Sequence, residues 1–291
     1  MKLLFIINPG SGNHNQNFKE IISEHFLQRN VVLDFYELPK DCSLAKIREK
    51  ISNSDPDRVV AVGGDGTLKL VAECVLHKSI PIGLVATGSA NGMAKELGIP
   101  LDIPSALNLI ETGKPKAIHV VKVNDEICIH LADMGFNAYL IKIFDALPQR
   151  GMLGYAKAAW LALLNHKKMQ VSLKLGGEII NTKAAMVAIA NATMYGSGLK
   201  INPLGKLDDK LFEVVLVKKY SYYEILKMWI TSLPLNPEKI EVLQASEVTI
   251  TARKKTHFQV DGEYLGKVDK VHAEIMPAAI SVILEGGKIE G

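Results

Sequence analysis

Residues 63–67 read Gly63-Gly64-Asp65-Gly66-Thr67, three glycines around one acid and one hydroxyl. Glycine lets the main chain approach a ligand closely and adopt positive φ. Where such a run opens a helix, the unpaired N–H groups and the positive dipole end favour an anion, most often a phosphate. A carboxylate repels phosphate, so Asp65 makes sense beside a cation or as the acceptor for a ribose or substrate hydroxyl. Thr67 can cap the helix or bond a phosphate oxygen, and Leu68 starts the apolar face. The plain alternative is a tight strand-to-helix turn with no ligand. Two further loops carry glycines, Asn8-Pro9-Gly10-Ser11-Gly12-Asn13 and Thr87-Gly88-Ser89-Ala90-Asn91-Gly92. Neither GxxxxGK[ST] nor GxGxxG is present, which disfavours a plain dinucleotide-binding dehydrogenase.

Two acidic groups lie in the second half. Lys206-Leu207-Asp208-Asp209-Lys210-Leu211 leads into a strand-like run. Adjacent acids there suit a hard cation such as Mg²⁺, with backbone carbonyls and water completing the shell. A polar β-turn accounts for the same spacing. In Val260-Asp261-Gly262-Glu263-Tyr264, Asp-Gly between strands is ordinary hairpin chemistry, and on the residues alone that is the stronger reading. If the strand stays extended, Asp261 and Glu263 share a face. A carboxylate pair near a nucleotide can deprotonate an alcohol. The eight histidines show no HxxxH or HExxH spacing, and no GxSxG elbow exists.

The elements that must position these residues are legible in outline. Leu3–Ile7 and Val59–Val62 are continuous apolar runs, as expected of strands buried on both faces. Phe18, Ile21, Ile22 and Phe26 fall at helical spacing, as do Leu68, Val71, Ala72, Val75 and Leu76. Ile80–Val85 reads as a third strand, Ser89 as the cap of a helix through Leu97, and Pro104–Thr112 as a further helix. This is a doubly wound α/β pattern, in which strand C-termini share one edge and the three loops can converge. Beyond residue 117 strand-like runs dominate, with hairpins expected at Asn124-Asp125 and Gly176-Gly177 and further strands at 184–190, 211–217, 247–252, 256–261, 270–276 and 279–284. Two helices interrupt them, Gly154–Leu164 and one carrying Tyr222, Ile225, Leu226, Trp229, Ile230 and Leu233 on one face.

Composition narrows the function. A net charge of +3 over 291 residues is too small for a nucleic-acid footprint. The pairs Lys167-Lys168, Lys218-Lys219 and Lys254-Lys255 read as solvated surface, with contact to anionic lipid as the lesser reading. Three cysteines without CxxC or metal spacing suit reduced thiols in a cytoplasmic protein. The apolar run at the N-terminus is too short for a signal peptide, and no run reaches the ~18 residues of a membrane span. Any membrane contact is expected to be peripheral.

In order and spacing, these pieces resemble the diacylglycerol kinase catalytic-domain family, soluble bacterial lipid kinases related to sphingosine and ceramide kinases. The resemblance covers almost the whole chain. It rests on Asn8-Pro9 with Gly12, on Gly63–Thr67, on GSANGMAKELGIP at 88–100 and on Met134-Gly135-Phe136-Asn137-Ala138. It continues through Asn191, Tyr195-Gly196-Ser197-Gly198 and Pro203 to LDDKLFEV and VDGE. It implies a doubly wound α/β ATP-binding domain over 1–118, with 279–291 returning to it, and a β-sandwich lipid-acceptor domain over 119–278. It implies ATP and Mg²⁺ as cofactors, and a lipid with a primary hydroxyl, such as diacylglycerol or a sphingoid base, as acceptor. By the same resemblance the nucleotide is held by Asn8, Gly10, Ser11, Gly12 and Asn13, by Gly63, Gly64, Asp65, Gly66, Thr67 and Leu68, and by Gly88, Ser89 and Asn91. Ser89 takes the place of a threonine. Lys206, Asp209 and Leu211 resemble a structural Mg²⁺ site. Glu263 resembles the proton acceptor, with Asp261 beside it, and Asp65 would position metal-bound phosphate or the acceptor. Peripheral membrane contact during turnover follows. The helix at 154–164 reads first as core packing, with a membrane surface or a homodimer partner as the lesser readings.

The chain departs from the family at several positions. Lys69 and Leu70 replace an asparagine and a glutamate after GGDGT-Leu, and Lys210 replaces a glycine. Leu38-Pro39-Lys40 offers no counterpart to a nucleotide-contacting threonine, and Asn91-Gly92-Met93 replaces Asn-Asp-Phe. The Gly88-Ser89-Ala90-Asn91 stretch leans toward the sphingosine kinases. Two other readings stay open. An NAD kinase shares GGDGT, although Ala86–Leu97 does not fit the pattern expected of one there. A non-catalytic nucleotide or lipid sensor would accommodate the departures.

Overall fold

The computed structural model describes residues 1–12, 17–148, 154, 157–158, 160–162, 167–195, 199–200, 205–219 and 236–287. Asn13, the 196–198 and 203 positions of the family motifs, the helix over Tyr222–Leu233 and much of that over Gly154–Leu164 lie outside them. The chain divides into two compact units, one of Met1–His119 with Pro277–Gly291 and one of Val120–Met276.

In the first unit the apolar runs become parallel strands. β1 (Lys2–Ile7), β2 (Val32–Glu37), β3 (Arg58–Gly63) and β4 (Ile82–Ala86) pair in the order β2-β1-β3-β4. Helices α1 (Phe18–His25), α2 (Leu44–Ser54) and α3 (Asp65–Val75) connect them, followed by α4 (Gly92–Glu96) and α5 (Ile103–Thr112). The strands are apolar throughout because both faces are covered. Leu3, Phe5 and Ile7 join Phe18 and Ile22 of α1, its C-cap Phe26, and Ala106, Leu107 and Ile110 of α5 in one core. Leu4 and Ile6 alternate to the other face and are just as buried, and α2 packs with α3. Caps fix the helix starts: Asn17 accepts from the Glu20 N–H, Ser43 from Lys46 and Asp102 from Ser105. Ser89 does not cap a helix. The helix after β4 begins at Gly92, behind Asn91 in the left-handed region, and has only five residues.

The second unit is antiparallel. β5 (Lys114–Val123), which starts in the first unit, turns at Asn124-Asp125 into β6 (Glu126–Cys128), and β7 (Leu131–Gly135) leads into α6 (Phe136–Ala146). β8 (Met169–Leu175) and β9 (Glu178–Ala184) form the hairpin at Gly176-Gly177. They are followed by β10 (Met186–Ala190), the short β11 (Met194–Tyr195) and β12 (Leu199–Lys200), β13 (Phe212–Val217) and β14 (Ile240–Ala245). The runs at 247–252 and 256–261 are one strand, β15 (Glu247–Val260), and those at 270–276 and 279–284 belong to β16 (Glu263–Leu284). β15 pairs with β8 through Val248–Ala252 and with β7 through Phe258–Val260, with a register shift between Thr251 and Thr256. The shift is in the pairing of β15 with β16, and Val121, Met134, Leu173, Phe212 and Val260 belong to one buried core of this unit. β16 ends in the first unit, where Val282 pairs in parallel with Ile82 of β4. Cys42, Cys74 and Cys128 are free thiols. Among the described residues no helix is long and apolar enough to cross a membrane.

Candidate active site

The strand order puts a topological switch point between β1 and β3, because β2 and β3 lie on opposite sides of β1. Open parallel sheets bind ligands outside the strand C-termini at such a point. Two glycine loops stand there, and the third follows β4. They touch. The Asn8 side-chain amide donates to Thr67 Oγ1 at 3.2 Å, and the Ser11 and Thr87 hydroxyls share a hydrogen bond of 2.8 Å. A Cβ on Gly88 would stand 2.6 Å from the Gly64 Cα, so only glycine allows the second and third loops this approach. Helix α3 opens at Asp65 behind Gly64, which supplies no side-chain cap. Thr67 is therefore the third helical residue rather than the cap, and its hydroxyl faces Asn8. The Thr67 and Leu68 N–H groups donate to the Gly64 carbonyl, and the N–H groups ahead of them at the start of α3 have no partner within the helix, a donor set that suits a phosphate. Leu68 is buried below the loop, and Ser89 is exposed at the rim.

Asp65 has a duty that the sequence did not disclose. Its carboxylate accepts from the backbone N–H groups of Gly92 at 3.0 Å and Met93 at 2.9 Å. An acid 27 residues away in sequence thus caps α4, whose own N-cap residue Asn91 makes no side-chain cap bond. Asn91 donates instead to the Gly88 carbonyl at 2.8 Å. The departure at Lys69 is inward: the side chain is buried, with its ammonium 3.9 Å from Glu73.

In the turn at 206–211, Lys210 sits at φ +64. Asp209 Oδ1 accepts from the Leu211 N–H at 3.0 Å, closing an Asx turn. One carboxylate with main-chain carbonyls is a donor set that suits Mg²⁺, which keeps several of its waters. Among the described residues no three His, Cys, Asp or Glu side chains cluster as an alternative metal site. A left-handed lysine carries strain that glycine does not. Lys210→Gly is expected to raise stability by about 0.5–1 kcal/mol, read as a higher urea midpoint with an unchanged m-value.

Val260 and Glu263 pair across a two-residue hairpin with Asp261 at φ 50 and Gly262 at φ 88. The hairpin reading therefore holds. The premise that Asp261 and Glu263 share an extended strand does not, because a left-handed residue breaks the two-residue alternation. The two acids diverge. Glu263 is exposed at the start of β16. Asp261 turns inward, and its carboxylate accepts from the N–H groups of Ile129, His130 and Leu131 at 2.9, 2.9 and 3.0 Å. Three backbone N–H groups thus converge on this carboxylate.

One buried acid was not among the sequence candidates. Asp133 lies in β7, 1% exposed, where its neighbours Ala132 and Met134 are apolar. It accepts from the Asn137 side-chain amide at 2.5 Å, from the Ala138 N–H at 2.9 Å and from the Gln259 side-chain amide. Burial pushes its carboxyl up to about 6, and these hydrogen bonds oppose the shift. The available signal was a charge inside the otherwise apolar run Leu131-Ala132-Asp133-Met134-Gly135.

The chain matches two known domain families end to end. The diacylglycerol kinase catalytic domain matches residues 2–123, and the YegS C-terminal NAD kinase beta sandwich-like domain matches residues 131–284. A protein of Chromohalobacter salexigens described as "Probable lipid kinase YegS-like" is 27% identical over 252 residues, covering 83% of this chain and 80% of its own. The diacylglycerol kinase of Bacillus subtilis is 25% identical over 221 residues, 72% of each chain. Among solved structures, a diacylglycerol kinase from Bacillus anthracis matches 98% of this chain and 97% of its own with a TM-score of 0.76, at 18% identity. That last likeness is one of fold.

Proposed function

Since this chain belongs to the diacylglycerol kinase catalytic-domain family of lipid kinases, we propose that it transfers the γ-phosphoryl group of ATP to a primary hydroxyl of a lipid, diacylglycerol or a sphingoid base. The observation that carries the nucleotide half of this reading is Gly66. It is the second residue of α3, is exposed, and is not among the positive-φ glycines, and a Cβ built on it meets nothing within 4 Å. Glycine in a helix costs about 0.5–1 kcal/mol relative to alanine. Among the described residues no atom requires that cost here, which supports a ligand at the helix N-terminus.

In the proposed reaction, the amides at the start of α3 and the loops at Asn8–Gly12 and Gly88–Asn91 hold the phosphates. Mg²⁺, when bound, spreads the charge of the transferring group. Glu263 accepts the proton of the lipid hydroxyl, whose oxygen bonds to the γ-phosphorus as the bond to the β-phosphate oxygen breaks and ADP leaves. Asp261 holds the turn that carries Glu263. The resemblance further supports a peripheral encounter with a membrane, where such acceptors reside. The relatives described as lipid kinases favour this reading over an NAD kinase.

Radiolabelled ATP with a panel of lipid alcohols in mixed micelles tests the activity. No labelled lipid from any alcohol, or conversion of NAD to NADP, would sink the proposal. Gly66→Ala gives a sharper signature. Its expected result is unchanged or slightly higher stability with the KM for ATP raised about tenfold or more, since a misplaced methyl in a fitted site is worth about 1–3 kcal/mol. An unaltered KM would remove Gly66 from the nucleotide site.

A further inference from the structure

The turn bearing Glu263 is pinned at two points, and the second leads into the interior. Asp261 anchors it to the 129–131 amides. The other pin is Gln259, 1% exposed in β15. Its side-chain carbonyl accepts from the Gly262 N–H at 2.8 Å, and its amide nitrogen donates to Asp133. Asp133 and Gln259 are directly opposite in the β7–β15 register, so the contact is built into the strand pairing.

Orientation is the point of this arrangement. A side-chain amide has a donor end and an acceptor end, and either can face either way. An ionised carboxylate only accepts, so beside Asp133 the Gln259 nitrogen must face inward. Its oxygen is then left to face Gly262, the residue before Glu263. Asn137 and Ala138 at the start of α6 also donate to Asp133, leaving it fully engaged. A buried carboxylate is costly even when hydrogen-bonded, as its raised pKa shows. A neutral residue would cap α6 at less cost, but it would not dictate the orientation of Gln259.

We propose that Asp133 is a positioning residue for Glu263, acting through Gln259, whose fixed orientation sets the Gly262 peptide and hence the direction of the Glu263 side chain. The inference rests on the kinase reading above for its catalytic consequence, and on the hydrogen-bond relay alone for its structural one.

Asp133→Asn replaces one acceptor oxygen with a donor group. When the remaining oxygen keeps the Ala138 N–H, the new nitrogen takes the position that Asn137 and Gln259 share, so Gln259 turns over, presents N–H to the Gly262 N–H, and the turn loses its acceptor. The expected result is a kcat lowered about 10–100-fold with the KM for ATP unchanged, the scale of a small misplacement of a reacting group. Adding Gln259→Glu restores the order of donors and acceptors. The amide introduced at position 133 donates, and the carboxylate introduced at position 259 accepts from it and from the Gly262 N–H. Turnover in the double variant should recover most of the loss. Amide-resolved hydrogen exchange reads the relay without any substrate, and the Gly262 N–H should exchange about 3–10-fold faster in Asp133→Asn, the worth of one hydrogen bond. Wild-type turnover in a folded Asp133→Asn would overturn the proposal, as would a folded double variant no better than the single one. If the wild-type protein phosphorylates no lipid alcohol, the kinase reading fails by itself. Gly262 exchange then decides the relay, with lost protection supporting it and unchanged protection ending it.

Discussion

Glu263→Gln is expected to lower lipid phosphorylation by about 10²–10⁴-fold, the usual worth of a general base, while the fold and ATP binding stay intact. The substitution is isosteric, and the side chain is exposed. The hairpin that presents it depends on backbone pairing of Val260 with Glu263 and on the left-handed residues Asp261 and Gly262. None of these needs the Glu263 charge. A thermal melt and an ATP titration should therefore match wild type while turnover collapses. Turnover within a few-fold of wild type would remove Glu263 from the base role. Asp261 could not simply take over, because three backbone amides already occupy its carboxylate.

Asp65→Ala should produce a compound loss. The carboxylate accepts from Gly92 and Met93, so its removal strips the acceptors from the start of α4. Two hydrogen bonds to a charged group at a partly buried helix terminus put the stability cost at about 2–3 kcal/mol. The third glycine loop lies directly before that terminus, and Gly88 lies against Gly64. Loosening α4 therefore disturbs the second and third loops together, and a fall in turnover of about 10²-fold or more is expected. Asp65→Asn separates bracing from charge. Asparagine can accept from one amide, but its nitrogen opposes the other. Urea unfolding and steady-state kinetics on both variants decide the matter. Lower stability with nearly normal turnover would make Asp65 a brace and nothing more.

Much of this was legible because it is local. Apolar runs at Leu3–Ile7 and Val59–Val62 mark strands covered on both faces, and the glycine loops fall where such strands end. Asn124-Asp125, Gly176-Gly177 and Asp261-Gly262 each form a hairpin, since two-residue turns are set by the residues within them. Elements with weaker patterns escaped notice. β2 is only partly buried along its length, and α2 and α6 each bury few residues. β15 and β16 read as four runs because polar and charged stretches interrupt them, while backbone pairing continues through.

The order of residues along the chain was enough to specify a class of chemistry: a parallel α/β unit with glycine loops at its strand ends, a β-rich unit with an Asp-Gly-Glu hairpin, and motifs in a family order. The contacts of the acids came from the folded chain alone. Asp65 caps a helix 27 residues away, Asp261 fills a nest more than 100 residues away, and Asp133 meets Gln259 across 126 residues. A carboxylate's role is set by the donors facing it, and strand pairing brings those donors from distant parts of the chain. Local spacing identifies the acid and leaves its partners unspecified.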